Sequence, residues 1–401
     1  QLTYVELEAL CKVVEPDAVA IDPTLAFPDK NNRRQIPLYE LQEMRALPAV
    51  SYTMGDKDRL AYLVFTSGTS GRPKAVMHAH RAVWARQMMI RDWYDLHETD
   101  RLLHAGAFNW TYTLGTGLLD PWSVGATALI PSSDTMIEDI PKLLAEHKVT
   151  IFAAAPGVYR RMLRASQFPS LPDLRHGLSA GEKLSETLRE DWRNATGGEI
   201  YEAFGMSECS TFISSSVYAP AQPETLGRPQ RGRRVAILST EPDGKPVAFG
   251  KTGIIAIDRE DPGLMLGYLG EDGQNKFRDG WFLTGDLGQM QSDGSVHYMG
   301  RCDDVMTAGG YRVSPIEVEA QLITHPKIQN VAVKDINIRA DTRVIAAFYT
   351  SENNIQEEEL QAFASQRLAR YKQPRIYVRI DALPVGPNGK LLRRKLSLSK
   401  D

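Results

Sequence analysis

The sequence has little cysteine, no long apolar run and no excess of either charge. Its three cysteines in 401 residues, Cys11, Cys209 and Cys302, are odd in number and widely spaced. That argues against a disulfide framework or a zinc cluster and fits a reducing cytoplasm. No apolar run approaches the roughly 18 residues that a bilayer span needs; the longest, such as Val344–Tyr349, are short. The opening QLTYVELEAL has no basic start followed by an apolar stretch, so no signal peptide is expected. Lys plus Arg number 47 and Asp plus Glu 50, for a formal charge of −3. A nucleic-acid binder would carry a basic excess. Internal repeats and low-complexity tracts are also lacking. With 42% hydrophobic and 24% charged residues, the chain reads as a globular protein of two or three domains. A cytoplasmic enzyme acting on small molecules is the expectation.

Between about Leu60 and Ser207, short apolar or β-branched runs alternate with segments of helical period. Strands are predicted at Ala61–Thr66, Lys74–His78, Ala126–Pro131 and Thr150–Ala155, and helices at Ala79–Leu96, Ile137–His147 and Ser185–Ala195. Such alternation implies a mostly parallel sheet covered on both faces. After Glu208 short strands with Gly, Pro and Asp turns dominate, at Arg234–Leu238, Thr252–Ile257, Trp281–Leu283 and Ser295–Met299, and an antiparallel lobe is expected. Beyond Gly300 the sequence reads as a small α+β unit. A helix starts at Ser314-Pro315-Ile316-Glu317 with Ser314 as its cap and runs to about His325. Strands at Val331–Ile336, Val344–Thr350 and Arg375–Ile380 and a helix at Glu357–Arg370 complete the unit.

The segment richest in chemistry is Thr66-Ser67-Gly68-Thr69-Ser70-Gly71-Arg72-Pro73-Lys74. Its glycines let backbone N–H groups approach an anion, its hydroxyls add donors, and Lys74 adds positive charge. The set suits a polyphosphate; the same composition also suits a plain surface turn. It contains neither the Gly-Lys-Ser/Thr of the P-loop nor the dinucleotide fingerprint. His78-x-His80 lacks a convincing third ligand and is not read as a metal site. Cys209 and Cys302 have no visible activating partner and are read as small fillers.

Five segments in order carry a resemblance. They are YLVFTSGTSGRPKAVMHAH, the box Tyr201-Glu-Ala-Phe-Gly-Met-Ser-Glu208, Thr284-Gly285-Asp286, Gly300-Arg301-Cys302-Asp303-Asp304 leading into GGYRVSPIEVE, and Pro387-Asn388-Gly389-Lys390. Together they resemble the motifs of the adenylate-forming superfamily, and the stretch AGAFNWTYTLGTGL at Ala105–Leu118, with SAGEKL and GGYRVSP, resembles the branch of acetyl-, medium-chain and benzoate-type CoA ligases. The likeness runs from about Ala61 to Leu396.

The resemblance implies an α/β fold. Residues 1–300 would form a large domain of mostly parallel sheet with helices plus a β lobe, and 301–401 a small mobile α+β domain hinged near Asp303. Thr66, Ser67, Gly68, Thr69, Ser70, Gly71 and Lys74 would hold the phosphates of ATP. Ala180, Gly181 and Glu182 would lie beside the nucleotide. Phe204, next to Gly205, would stack on adenine. Ser207 stands where the family has threonine and keeps its hydroxyl; Glu208 would ligate Mg²⁺, a hard cation that takes oxygen donors. Asp286 and Arg301 would hold the ribose hydroxyls. Lys390 would neutralise charge as a carboxylate attacks the α-phosphorus and pyrophosphate leaves. Rotation about Asp303 would then bring Gly309, Gly310 and Tyr311 in to form a thiol channel for coenzyme A. Phe108 and Trp110, with Tyr112, either shape a small or aryl acyl pocket or pack the core.

The phosphate loop lies nearer the first residue than in the family, so a shortened N-terminal lobe is expected. The expected partners are a small carboxylic acid and coenzyme A, with no nucleic acid and no membrane span, and with the chain a monomer or a homodimer. Two alternatives stay open: loading of a carrier protein in trans, and a non-catalytic nucleotide-binding remnant.

Overall fold

The computed structural model describes residues 4–24, 27, 33–67, 73–132, 134–164, 168–241, 244–304, 306–308, 311–339, 342–386 and 391–398. Its largest sheet has seven strands, in the order Arg228–Pro229, Ser210–Ser214, Glu199–Met206, His176–Ala180, Ile151–Ala154, Arg101–His104 and Thr127–Leu129. The last five are mutually parallel; the first two extend the sheet antiparallel. Ile151–Ala154 and His176–Ala180 are buried at every position, as strands covered on both faces must be. One face carries Phe152, Tyr159 and Trp192, the other Trp93, Tyr94 and Tyr112.

The predicted antiparallel lobe forms from Val235–Leu238, Thr252–Asp258, Phe277–Arg278, Trp281–Met290 and Val296–Arg301. A separate hairpin pairs Leu60–Ser67 with Pro73–Ala79, and Gly267–Tyr268 adds a third strand to it. Beyond residue 305 come a ribbon, Met306–Ala308 with Tyr311–Val313, the helix Pro315–Leu322 and a sheet of Asn330–Arg339, Thr342–Thr350 and Ile376–Arg379. Met306, Val313, Val318, Leu322 and Leu360 form a cluster there, apart from the clusters of the larger sheets.

Three local predictions differ from the structure. The expected helix over Ala79–Leu96 is broken: an α-helix covers only His80–Ala85, and a π turn follows at Ile90–Tyr94, ended by Asp95 in the left-handed region at φ 50°. The wider π turn directs the neighbours Trp93 and Tyr94 both inward, each 0% exposed. Ser314 does not cap its helix; its hydroxyl donates to Met299 O at 2.6 Å instead. The helix from Glu357 ends at Ser365, not Arg370. By contrast, Ser185 does cap, accepting from Leu188 N at 3.3 Å.

Candidate active site

Ser207 and Glu208 occupy the turn that joins Glu199–Met206 to Ser210–Ser214. The turn is tight: Cys209 N donates to Met206 O at 3.1 Å, and Ser210 takes a left-handed φ of 59°. Gly205 is required beside it, because a Cβ there would lie 2.3 Å from Ser210 O. The carbonyl of Ser207 accepts from His78 Nε2 at 2.8 Å. Donation to a carbonyl requires a proton on Nε2. Burial pushes the His78 pKa down to about 4, which keeps the ring neutral.

The Glu208 carboxylate accepts a hydrogen bond from the Tyr268 hydroxyl, 2.8 Å from Oε1. Tyr268 also lies under Lys74, whose ammonium sits 4.9 Å from the ring centroid, a cation–π arrangement. Lys74 in turn pairs with Glu271. Burial and the nearby Glu208 carboxylate raise the Tyr268 pKa, so its hydroxyl stays protonated and donating. Thus Lys74 and Glu208, 134 positions apart in sequence, meet through one tyrosine ring.

A second constellation starts from Phe204, on the strand that leads into this turn, and continues on two strands of the antiparallel lobe. Phe204 is half-buried, edge-to-face with Phe212 and 5.4 Å from the Tyr298 ring. The Tyr298 hydroxyl donates to Asp286 Oδ1 at 2.9 Å. Arg301 Nη1 donates to Asp286 Oδ2 and to Thr284 O, each at 3.0 Å. The sheet sets this up: Asp286 and Arg301 are direct partners across an antiparallel pair. Gly285 is at φ +76°, where a Cβ would come within 2.8 Å of Arg301. Burial works against the Arg301 charge, but the carboxylates of Asp286 and Asp303 outweigh it and its pKa rises.

Gly181 follows the strand that ends at Ala180, and Ala180 pairs in register with Ala203. Gly181 therefore lies at the strand edge beside Phe204. Its φ is +97°, and a Cβ there would stand 2.7 Å from the tip of the Trp110 indole. Trp110 packs edge-on against buried Tyr112 at 5.1 Å. Phe108 is half-buried and Glu182 follows Gly181 on the same edge. The candidate acyl and nucleotide residues thus adjoin at the carboxyl ends of the parallel strands, where ligands of open α/β sheets bind.

Of the other predicted residues, Thr66 lies in the hairpin opposite Lys74. Gly68, Thr69, Ser70, Gly71, Gly309, Gly310 and Lys390 lie outside the described residues, as do the side chains of Ser67 and Tyr311. Asp303 accepts from Arg301 Nε at 3.2 Å and from Arg394 Nη2 at 3.1 Å. Cys209 is buried against Arg233, and burial raises its thiol to about 12, too high for a nucleophile. The sequence reading missed Tyr268, Glu271 and Tyr298. Their only signal was position: Tyr298 two residues before Gly300, Tyr268 and Glu271 in a Gly-rich stretch.

The donors suit Mg²⁺ shared with phosphates. No group of three or more His, Cys, Asp or Glu forms a metal cage among the described residues. Mg²⁺ usually takes one or two carboxylates and fills its octahedron with phosphate and water. Among the described residues Glu208 Oε2 accepts no hydrogen bond, so that oxygen is available.

Comparison with known proteins gives two family matches, "AMP-binding enzyme" over residues 5–269 and "AMP-binding enzyme C-terminal domain" over 317–390. A mitochondrial acyl-coenzyme A synthetase of Mus musculus is 30% identical over 375 residues, covering 89% of this chain and 64% of that protein. A 3-hydroxybenzoate/4-hydroxybenzoate–CoA ligase of Thauera aromatica is 30% identical over 84% of this chain and 66% of that protein. The chain thus spans about two thirds of the length of these relatives. Among solved structures, a benzoate CoA ligase from Burkholderia xenovorans LB400 matches with a TM-score of 0.86 and 28% identity, covering 98% of this chain and 82% of that one. ATP-bound MatB from Rhodopseudomonas palustris matches with a TM-score of 0.88 and 25% identity, over 98% of this chain and 81% of that one.

Proposed function

The chain belongs to the AMP-binding enzyme family, within the adenylate-forming superfamily, and from that premise we propose that it activates a carboxylic acid with Mg-ATP and passes the acyl group to coenzyme A. One observation carries the reading. Phe204, on the strand that leads into Ser207 and Glu208, meets Tyr298 of the antiparallel lobe, which with Arg301 holds Asp286, and Lys74 lies beyond Tyr268.

On this reading Asp286 and Arg301 orient the ribose, Phe204 offers its face to adenine, and Lys74 exchanges Glu271 for phosphate. When bound, Mg²⁺ held by Glu208 neutralises charge on the phosphates. Lys390 supplies a point charge while the carboxylate oxygen bonds to the α-phosphorus and pyrophosphate departs. The acyl carbon is then attacked by the coenzyme A thiolate, and AMP leaves.

The acid we propose is small or aryl, held between Trp110 and Gly181. The packing of that indole on a glycine supports this, and so do relatives named for benzoate and hydroxybenzoate. Residues 301–401 act as a mobile domain hinged at Asp303, which swings between the two half-reactions; their separate hydrophobic core supports the division. None of the three cysteines forms a disulfide, in keeping with a cytoplasmic setting.

The test is pyrophosphate release on adding ATP and a panel of benzoates and short and medium aliphatic acids, with and without coenzyme A. The expected outcome is acid-dependent release and a thioester product. ATP binding with no release from any acid would leave only a nucleotide-binding remnant. Lys390→Ala should abolish adenylate formation yet spare thioester formation from supplied acyl-adenylate; equal loss of both steps would remove Lys390 from its role.

A further inference from the structure

Residues 261–268 run past the Ser207–Ser210 turn as a strap, fastened at both ends. At one end Asp261, 1% exposed, faces Arg233, 7% exposed, whose Nη2 lies 2.9 Å from Asp261 Oδ1. Asp261 also accepts from Arg234 N at 2.8 Å and Gly263 N at 2.9 Å, which fixes the bend of the strap. The same Arg233 guanidinium reaches the turn: Nη2 donates to Cys209 O at 3.0 Å and Nη1 to Thr211 O at 2.9 Å. In mid-strap, Met265 N donates to Glu208 O at 2.8 Å. At the far end, Gly267 and Tyr268 pair with Met77 and Val76, on the strand that begins next to Lys74. From that strand-anchored position the Tyr268 hydroxyl bonds Glu208 Oε1.

Both the backbone and the carboxylate of Glu208 are therefore held by one segment, and Arg233 locks that segment to the turn it clamps. A free Glu side chain has rotamer freedom to lose on binding a cation. Here one oxygen is already pinned, and the other accepts no hydrogen bond among the described residues. We infer that Tyr268 and Arg233 are positioning residues that aim the Glu208 carboxylate at a nucleotide-bound divalent cation. The inference rests on the reading of Glu208 as a magnesium ligand given above. Partners that orient a metal ligand are worth about 10- to 100-fold in metal affinity when removed.

Tyr268→Phe isolates the effect. It keeps the ring under Lys74 and deletes only the hydroxyl on Glu208. Arg233→Lys is the second variant: it keeps a positive charge opposite Asp261 but loses the planar fork to the two carbonyls. ATP binding is measured by calorimetry with Mg²⁺ and again in EDTA, alongside a thermal melt of each protein. For Tyr268→Phe the expected result is Mg-ATP affinity lowered about 10-fold or more, with ATP binding in EDTA and the melting temperature unchanged. Arg233→Lys should shift the same ratio in the same direction. If Tyr268→Phe binds Mg-ATP as the wild type does, the inference is overturned; should Arg233→Lys not fold, Tyr268→Phe alone decides. A wild type that binds ATP equally with and without Mg²⁺ would instead overturn the assignment of Glu208 itself.

Discussion

Acid should unfold this protein earlier than its carboxylates alone would dictate, and His104 makes the effect measurable. The ring is 2% exposed, and neither nitrogen has a hydrogen-bond partner among the described residues. It meets the edge of Tyr112 at 4.3 Å, whose own pKa burial raises, and it feels the Arg86 cation. Burial first, and Arg86 second, lower the His104 pKa to about 3; burial lowers His78 and His176 to about 4. In the unfolded chain an imidazole takes its proton near pH 6.5. The unfolded state therefore binds more protons between about pH 6.5 and pH 3–4, and stability falls as the pH drops through that window. At pH 5 the difference of 1.5 units corresponds to about 2 kcal/mol per imidazole. Three of them approach the whole stability of an ordinary domain, about 5–15 kcal/mol. Glu202 and Glu319, whose pKa values burial raises, act in the opposite direction, so the variant comparison is what isolates the histidine. Urea unfolding at pH 7.5 and at pH 5.0 should cost the wild type about 2 kcal/mol more on acidification than His104→Leu. Equal losses in the two proteins would show that His104 is not held neutral, and the reasoning would fail.

Three further outcomes are expected. Gly181→Ala places a Cβ within 2.7 Å of Trp110 at φ +97°, so the KM for the acid should rise at least several-fold, and by more than the KM for ATP; an unchanged acid KM would free Trp110 from the acyl site. Asp120→Asn strands the buried Arg86 guanidinium, which donates to both of its carboxylate oxygens at 2.6 and 2.8 Å, and should lower stability by about 3–5 kcal/mol in urea unfolding. Asp303→Pro should slow thioester formation more than adenylate formation in single-turnover assays, and an unaltered ratio of the two rates would remove the hinge from the mechanism.

What the sequence made legible is what depends on near neighbours. Ile151–Ala154 reads as a buried strand because every position is apolar, and Glu208 and Asp286 stand out because their chain neighbours spell recognisable boxes. The residues that finish the site act across distance. Tyr268 lies 60 positions from Glu208, and Arg86 lies 124 from Ser210. Nothing in the local pattern distinguishes these side chains from other buried aromatics or surface arginines. Ser314 shows the same limit from the other side: its spacing to Glu317 is that of a cap, but the Met299 carbonyl of a neighbouring strand offers its hydroxyl a better partner.

The same distinction explains how the Ser207–Ser210 turn is held. A turn with a non-glycine residue at φ 59° is disfavoured on its own, so local sequence alone would not hold Glu208 in place. It persists because groups from other segments satisfy it. His78 takes Ser207 O, Met265 N takes Glu208 O, Arg233 takes Cys209 O, and Arg86 reaches the Ser210 hydroxyl. Two of these groups are buried cations, each neutralised by its own aspartate, Asp120 or Asp261. A buried charge is tolerated only with such a partner. Each of these two arginines therefore comes with its aspartate and an attachment to the turn, and the turn's geometry is set by segments as remote as 78 and 265 from the carboxylate it presents.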